Sequence, residues 1–168
     1  MSFSLLPAFT FHKLTEITPD FLNEQGVTFL MLDLDNTLAP YSEHQPSELI
    51  KKWVTDLKAA GITLFFVSNS KKPARVDAFA RALETGFIKE ARKPSPAKLL
   101  QIIAELGFNS SNSALVGDQI FTDVLGANLA GVMSVIVRPI KLKNPLLAIR
   151  FAFETPFRLI GAIRQKIN

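Results

Sequence analysis

The chain has 168 residues, 48% of them hydrophobic and 20% charged, which is typical of one globular domain with a real core. It contains no cysteine and two histidines, so disulfides and thiolate metal sites are excluded and a histidine-built metal site is not expected. The sequence shows no basic, apolar signal segment and no run of about 18 apolar residues, so we expect a cytoplasmic protein without a membrane span.

The net charge of +4 is unevenly distributed along the chain. From Arg138 onward there are seven basic residues and one acidic residue, so this tail carries +6 and the rest of the chain −2. The high isoelectric point therefore belongs to the tail and not to the part that precedes it.

In chain order, the apolar residues predict strands that alternate with helices. The predicted helices cover 18–25, 46–60, 73–83, 95–106 and 122–130, and the predicted strands cover 27–33, 62–67, 86–88, 114–116 and 132–137. The strands are apolar throughout, which indicates a parallel sheet with both faces covered. We therefore expect an α/β fold: a three-layer, Rossmann-like parallel sheet with helices on both faces.

The first predicted strand delivers two carboxylates, Asp33 and Asp35, to the point where it ends. Ligands of open α/β sheets bind at the carboxyl ends of strands, so this pair suggests divalent-metal and phosphoryl chemistry. The alternative is an ordinary turn, since Asp and Asn often bond nearby backbone amides after a strand. An EF-hand loop counted from Asp33 is excluded, because Leu38 and His44 occupy its glycine and glutamate positions.

Further polar residues follow the later strands or lie in nearby loops, and in a parallel sheet they can converge on one edge. They are Ser68, Asn69, Lys93, Asp118 and Asp123. Each also has a structural interpretation: a helix cap for the serine, a solvated loop charge for the lysine, a turn for Asp118 and a helix-dipole partner for Asp123.

Four segments in this order resemble the motifs of the haloacid dehalogenase (HAD) superfamily of phosphohydrolases. They are Asp33-Leu-Asp35-Asn-Thr37, Ser68-Asn69, Lys93-Pro94 and Gly117-Asp118-Gln-Ile-Phe-Thr-Asp123. The resemblance implies a HAD-like fold and a Mg²⁺-dependent phosphatase.

The resemblance also implies a role for each motif residue. Asp33 would be the nucleophile that forms an aspartyl-phosphate, and Asp35 the general acid and then base. Ser68 and Lys93 would bind the phosphoryl group and offset charge. Asp118 would bind Mg²⁺ together with the Asp33 carboxylate and the Asp35 main-chain carbonyl. Among the remaining residues, Thr37 and Asn69 would be positional or phosphate-binding, and Asp123 would support the metal site or order its loop.

The intervals between motifs leave no room for a sizeable cap domain. About 30 residues separate Asp35 from Ser68, and fewer separate Ser68 from Lys93. We therefore expect an open catalytic edge, which suits a substrate that belongs to something large. Within the superfamily the chain resembles the small, capless YqeG-type branch of subfamily IIIA, which is similar to phosphatidylglycerophosphate phosphatases. That resemblance implies an anionic phospholipid as substrate.

Residues 139–168 are expected to form a basic, amphipathic helical tail beside a catalytic domain of residues 1–138. The pattern predicts one helical segment over 144–154 and a fresh helix start at Thr155-Pro156. Such a tail can lie in a membrane interface at the inner face of a membrane, or it can pack on the sheet with its basic residues outward.

Other functions remain open at this point. One is a soluble phosphatase acting on a nucleotide, a sugar phosphate or a nucleic-acid end. Another is a non-catalytic module that keeps the fold, although Asp33 and Asp35 together argue against it. The basic tail could also bind nucleic acid, and its phenylalanines could stack on bases. Its lack of tyrosine and tryptophan argues against this function.

Overall fold

A six-stranded parallel sheet forms the centre of the molecule. The computed structural model describes residues 3–70, 73–142 and 145–167. The strands are β1 (Phe9–Phe11), β2 (Phe29–Leu32), β3 (Thr63–Val67), β4 (Gly86–Ile88), β5 (Ser113–Gly117) and β6 (Met133–Val137). Their order across the sheet is β1-β6-β5-β2-β3-β4, and every neighbouring pair is parallel.

Six α-helices connect and cover these strands. They are α1 (Pro19–Glu24), α2 (Glu48–Ala59), α3 (Pro73–Ala82), α4 (Ala97–Glu105), α5 (Leu125–Ala130) and α6 (Pro145–Ile167). Short 3₁₀ turns cover Leu14–Glu16 and Ser110–Asn112, and one π-helical turn covers Ile120–Val124. Within the described residues, no helix combines the length and the apolar character that crossing a membrane requires.

The sheet separates two hydrophobic cores, and β2 contributes to both. Leu30 and Leu32 pack with the buried side chains of α2 and α3, whereas Phe29 and Met31 pack with those of α4 and α5. Alternate residues of a strand point to opposite faces, so a strand with helices on both sides is apolar throughout. The expected three-layer α/β fold is confirmed.

The intervals between the motif segments hold only what the sequence predicts. One loop and α2 lie between β2 and β3, and α3 and β4 lie between β3 and Lys93. The described part of the chain therefore shows no large cap over the carboxyl ends of the strands.

Two elements differ from the sequence-based prediction. The edge strand β1 was not expected, because three residues are too short for periodicity to identify. The predicted helix break at Thr155-Pro156 is wrong, since α6 continues through Pro156. The Thr155 hydroxyl donates to the Phe151 carbonyl at 2.8 Å, in the turn where the proline has no N–H to give. Asn144, the predicted start of the tail helix, lies outside the described residues.

Contacts with the N-terminal segment hold α6 against the edge of the sheet. The Thr10 amide of β1 donates to Gln165 Oε1 at 2.8 Å. A methyl group at Gly161 would lie 2.6 Å from Pro7 Cγ, so glycine allows the helix to approach this closely. One face of α6 therefore packs against the rest of the molecule. The division into a catalytic domain of residues 1–138 and a tail of residues 139–168 stays a prediction.

Candidate active site

The turn after β2 places Asp33 and Asp35 at the carboxyl edge of the sheet. The Asp33 amide donates to the Val116 carbonyl at 2.9 Å, which continues the pairing of β2 with β5 by one residue. Asn36 then adopts a left-handed conformation with φ 63°, which asparagine tolerates better than most residues. Its amide donates to the Ala39 carbonyl at 2.9 Å and closes the turn.

Lys93 lies at the centre of the site and contacts three of its groups. Its ammonium lies 2.7 Å from Asp33 Oδ1 and 2.7 Å from Asp123 Oδ1, and it donates to the Val67 carbonyl at 2.8 Å. The ammonium group thus donates hydrogen bonds to Asp33 and Val67 and forms an ion pair with Asp123. The lysine side chain is buried, so the interaction is little screened by solvent.

Asn69 fixes the backbone of Lys93 from the neighbouring strand end. Its Nδ2 donates to the Lys93 carbonyl at 2.9 Å, and its Oδ1 accepts from the Lys93 amide at 3.0 Å. The buried Ser68 lines the same cleft, and its hydroxyl accepts from the Ser70 amide at 3.0 Å. Asn69 thus positions the lysine, and Ser68 places a hydroxyl in the cleft.

The loop after β5 contributes two more buried carboxylates, Asp118 and Asp123. The Gln119 amide donates to Asp123 Oδ2 at 3.0 Å, which folds the loop around that carboxylate. A Cβ at Gly117 would lie 2.2 Å from Asp123 Cγ, so only glycine leaves room for this close approach. The Thr37 hydroxyl lies 3.3 Å from Asp33 Oδ2 and 3.4 Å from Asp118 Oδ1, between the two loops.

Asp33, Asp118 and Asp123 form a cluster that fits a divalent cation. One carboxylate oxygen from each lies within 4.8 Å of the others. Hard cations such as Mg²⁺ bind carboxylate oxygens and keep several waters, and the cluster borders an open cleft that can supply them. Lys93 balances part of the negative charge but not all of it, which leaves the cluster suited to a cation.

The crowding of buried carboxylates changes their acidity. Burial, opposed by Lys93 and reinforced by repulsion from Asp123, raises the pKa of Asp33 to about 6. Burial and repulsion from Asp33 and Asp123 hold the pKa of Asp118 well above its usual range. Burial alone would lower the pKa of Lys93, but attraction to Asp123 and Asp33 outweighs it and raises that pKa. The lysine therefore stays charged.

Asp35 is held by a residue that the sequence analysis did not identify. The buried Arg75 of α3 forms an ion pair with Asp35 Oδ1. The same guanidinium group donates to the carbonyls of Glu43 at 2.7 Å and Pro40 at 2.8 Å. Arg75 thus ties the second carboxylate of the motif to the loop that follows it. The sequence held one indication of this role: Arg75 lies on the same helix face as the apolar Phe79 and Leu83, which follow it at intervals of four residues.

These side chains border one cleft of about 450 Å³. The side chains that line it include Asp33, Asp35, Ser68, Asn69, Lys93 and Asp123, together with Tyr41, Gln119, Thr122, Leu147 and Arg150. Leu147 and Arg150 belong to α6. This helix therefore lines one side of the cleft, which the sequence analysis did not predict. Burial and the nearby Asp35, Asp118 and Asp33 raise the pKa of Tyr41 to about 12, so its hydroxyl stays protonated.

A second contact joins α6 to the loop that carries Asp118. The buried Arg158 donates to the Asp118 carbonyl, and its other terminal nitrogen donates to the Val137 carbonyl at 3.0 Å. Glu154, also buried, pairs with Arg158 at 3.2 Å and accepts weakly from the Phe121 amide at 3.4 Å. The last helix therefore supports the backbone that carries Asp118.

A buried lysine lies between two aspartates at the carboxyl edge of a parallel sheet, with a third carboxylate beside them. This is the arrangement expected of a phosphoryl-transfer site of the HAD type. A family model of haloacid dehalogenase-like hydrolases matches residues 8–131, and the chain belongs to that family. Its relatives include the "Probable phosphatase YqeG" of Bacillus subtilis, 31% identical over 150 residues that cover 89% of this chain and 86% of the relative. The chain is therefore a phosphatase.

Solved structures show the same fold at lower identity. A hypothetical protein from Xanthomonas campestris, XCC2798, is 19% identical with a TM-score of 0.57, over 83% of this chain and 79% of that one. The 3-deoxy-D-manno-octulosonate 8-phosphate phosphatase of Moraxella catarrhalis, solved with magnesium, phosphate and its sugar acid, is 19% identical with a TM-score of 0.53, over 73% and 72% of the two chains. Both similarities bear on the fold alone.

Proposed function

We propose that the protein is a Mg²⁺-dependent phosphomonoester hydrolase that works through an aspartyl-phosphate on Asp33, and that its substrate is phosphatidylglycerophosphate. The observation that supports the chemistry best is the Lys93 ammonium, held 2.7 Å from both Asp33 and Asp123 at the base of an accessible cleft. This arrangement orients one carboxylate oxygen of the nucleophile and keeps a fixed positive charge where phosphate charge accumulates.

The two chemical steps follow from two carboxylates with different surroundings. In the first step an Asp33 oxygen attacks phosphorus, the bond to the leaving oxygen breaks, and Asp35 gives that oxygen a proton. In the second step Asp35 removes a proton from water, which attacks the aspartyl-phosphate and releases phosphate and free Asp33. Because Arg75 engages Asp35 Oδ1, we assign the proton transfers to the other oxygen of that carboxylate.

Asp33, Asp118 and the Asp35 main-chain carbonyl are proposed to hold the Mg²⁺, with Asp123 beside them. The metal would neutralise charge on the phosphoryl oxygens and on the clustered carboxylates. Lys93 keeps Asp33 oriented, while Ser68 donates to a phosphoryl oxygen. Thr37 links the two metal-binding loops, and Asn69 keeps the lysine in place.

An apolar surface beside the cleft supports the lipid substrate. Among the described residues from 140 onward, eight large hydrophobic side chains are exposed: Ile140, Leu142, Leu146, Ile149, Phe153, Leu159, Ile160 and Ile163. Several recur at helical spacing on α6, and Phe153 is 70% exposed. Leu147 and Arg150 of the same helix line the cleft, so an α6 that rests on a bilayer would present the active site to lipid headgroups.

A second candidate substrate is a soluble sugar phosphate. The observation that favours it is the shared fold with the 3-deoxy-D-manno-octulosonate 8-phosphate phosphatase, together with a cleft large enough for a small phosphomonoester. A nucleotide or a nucleic-acid end would meet the same catalytic groups.

The deciding experiment is phosphate release with Mg²⁺ from phosphatidylglycerophosphate in mixed micelles and from a panel of soluble phosphomonoesters. We expect a strong preference for the lipid, and no turnover by Asp33→Asn, whose fold is checked by circular dichroism. Phosphate release from soluble esters alone would rule out the lipid substrate but would leave the proposed mechanism standing. Full activity of Asp33→Asn, or activity that survives EDTA, would contradict the mechanism.

A further inference from the structure

Arg150 contributes a second positive charge to the active-site cleft. Among the described residues that line the cleft, the basic ones are Lys93 and Arg150. Lys93 is engaged by hydrogen bonds to Asp33 and the Val67 carbonyl and by an ion pair with Asp123. Arg150 is different because its side chain is 29% exposed and projects from α6, a helix outside the four catalytic motifs.

The charges around Arg150 do not balance. Its Nε donates to Glu154 Oε1 at 3.1 Å, while the other oxygen of Glu154 accepts from Arg158 at 3.2 Å. One carboxylate therefore serves two guanidinium groups, and the three residues carry a net charge of about +1. Arg158 is buried against the Asp118 and Val137 carbonyls, so Arg150 is the member of the three that lines the cleft.

Hydroxyl groups surround this end of the cleft. The Thr122 hydroxyl lies 3.5 Å from an Arg150 terminal nitrogen, and the protonated Tyr41 hydroxyl borders the same space. The Thr122 hydroxyl donates to Gln119 Oε1 at 3.1 Å, so it orients the guanidinium, while Tyr41 supplies a hydroxyl donor. A planar guanidinium with a hydroxyl donor beside it matches the oxygens of a carboxylate, phosphate or phosphodiester. The scissile phosphate is bound at Asp33 by the groups already described, which leaves this cation for another part of the substrate.

We propose that Arg150 is a specificity residue that binds a second anionic group on the substrate, apart from the phosphate that is removed. This inference rests on the proposed phosphatase function and narrows its substrate class to phosphomonoesters with a second anion. A phosphodiester in a lipid headgroup and a carboxylate in a soluble ester present the same chemistry to the guanidinium, and the substrates tested separate these two sources.

The test compares three phosphomonoesters that differ in the second anion. sn-Glycerol 3-phosphate has none, 3-phosphoglycerate has a carboxylate, and deacylated phosphatidylglycerophosphate has a phosphodiester. The measured quantity is kcat/KM for each ester with a second anionic group, divided by kcat/KM for glycerol phosphate, within one preparation. This ratio does not depend on the folded fraction, so partial loss of structure in a variant does not obscure it.

In Arg150→Gln we expect this ratio to fall about 10- to 100-fold, mainly through KM, for whichever ester the wild type prefers. Arg150→Lys should recover part of it, and the exposed Arg164→Gln should leave it unchanged. A preference for the phosphodiester would indicate a lipid source, and one for the carboxylate a soluble source.

Two results would overturn the inference while the phosphatase assignment stands. Both leave the ratio in Arg150→Gln unchanged. One is an equal loss of kcat/KM on all three esters, which would place Arg150 on the transferred phosphate or in the structure. The other is wild-type kcat/KM on all three esters, which would show that Arg150 does not contact the substrate. Wild-type protein that releases phosphate from none of these esters and from none in the wider panel would overturn both proposals together.

Discussion

At the residue scale, the neighbouring carboxylates Asp33 and Asp35 have different partners. Asp33 is paired with a lysine that also holds Asp123, whereas Asp35 is paired with Arg75, which also holds the following loop. The proposed nucleophile and the proposed proton donor need different surroundings, and the partners of the two residues come from different elements. This division makes the two residues separable by experiment.

Asp35→Asn is expected to slow turnover of an alkyl phosphate by about 10²- to 10⁴-fold, the usual contribution of general acid–base catalysis. Formation of the aspartyl-phosphate should be slowed much less with p-nitrophenyl phosphate, because p-nitrophenolate leaves without a proton. Single-turnover kinetics with both substrates measure the difference. Equal slowing of the two would contradict the general-acid role of Asp35.

The raised pKa of Asp33 predicts how stability depends on pH in metal-free protein. The pKa is about 6 in the folded state and near 3.8 when the chain is unfolded, so the charged carboxylate is disfavoured by folding. Stability from this group is fully present below about pH 4 and is lost as the pH rises through 6.

Thermal unfolding in EDTA from pH 4 to pH 8 checks this. We expect Asp33→Asn to match the wild type near pH 4 and to be the more stable protein above pH 6. The exposed Asp56→Asn is the control, and its difference from wild type should stay small at every pH. A wild type that gains stability relative to Asp33→Asn as the pH rises would show that the sign is wrong.

The residues of the site differ in how far the sequence could identify them. Asp33, Ser68 and Asp118 directly follow strands that their apolar composition identifies, so their convergence follows from the parallel sheet. Arg75, Arg150 and Arg158 lie on helices, and nothing in their local sequence states which strand end each helix meets. Helix orientation depends on packing between distant segments, which a single sequence does not specify.

At the scale of elements, α6 is a structural part of the active site. Arg158 links it to the Asp118 carbonyl, and Glu154 holds Arg158 in place. The composition of the tail predicted that α6 is basic and apolar. It did not predict that the helix continues through Pro156 or that it contacts the loop of Asp118. Substitutions are therefore a better test of the proposed membrane contact than removal of α6, which would also remove the support of the Asp118 carbonyl.

Arg158→Met is expected to destabilise the protein by about 3–5 kcal/mol, because the buried Glu154 loses one of its two arginine partners and two buried carbonyls lose the Arg158 donors. Urea unfolding measures the loss. Arg164→Met, an exposed change on the same helix, should lie within about 0.5 kcal/mol of wild type. Similarly small losses of stability for both variants would show that the contacts of Arg158 contribute little to the free energy of unfolding.

At the scale of the whole molecule, basic charge and exposed apolar area coincide near α6. The segment from Arg138 onward carries +6, while the rest of the chain carries −2. Each basic residue near an anionic membrane contributes roughly 1 kcal/mol, and apolar side chains add to this by burial. The proposed lipid substrate requires that this surface bind a bilayer.

Co-sedimentation with phosphatidylglycerol vesicles is expected at 0.1 M salt and should weaken at 0.5 M salt or with neutral phosphatidylcholine vesicles. Phe153→Gln combined with Ile163→Gln should reduce binding, since both side chains are exposed on α6. Leu49→Gln is the matched control, because Leu49 is 64% exposed on α2. Equal binding by the double variant and this control would exclude α6 as the membrane surface.

The bond from Arg158 to the Asp118 carbonyl also bears on synthesis. Residues 33–123 leave the ribosome before Arg158, so a nascent chain can hold every catalytic motif while the loop of Asp118 still lacks its support. Native contacts between residues 40 positions apart form only after both have emerged. The order of translation therefore makes completion of α6 the last step in assembling the active site, and phosphatase activity should appear only after that helix has docked.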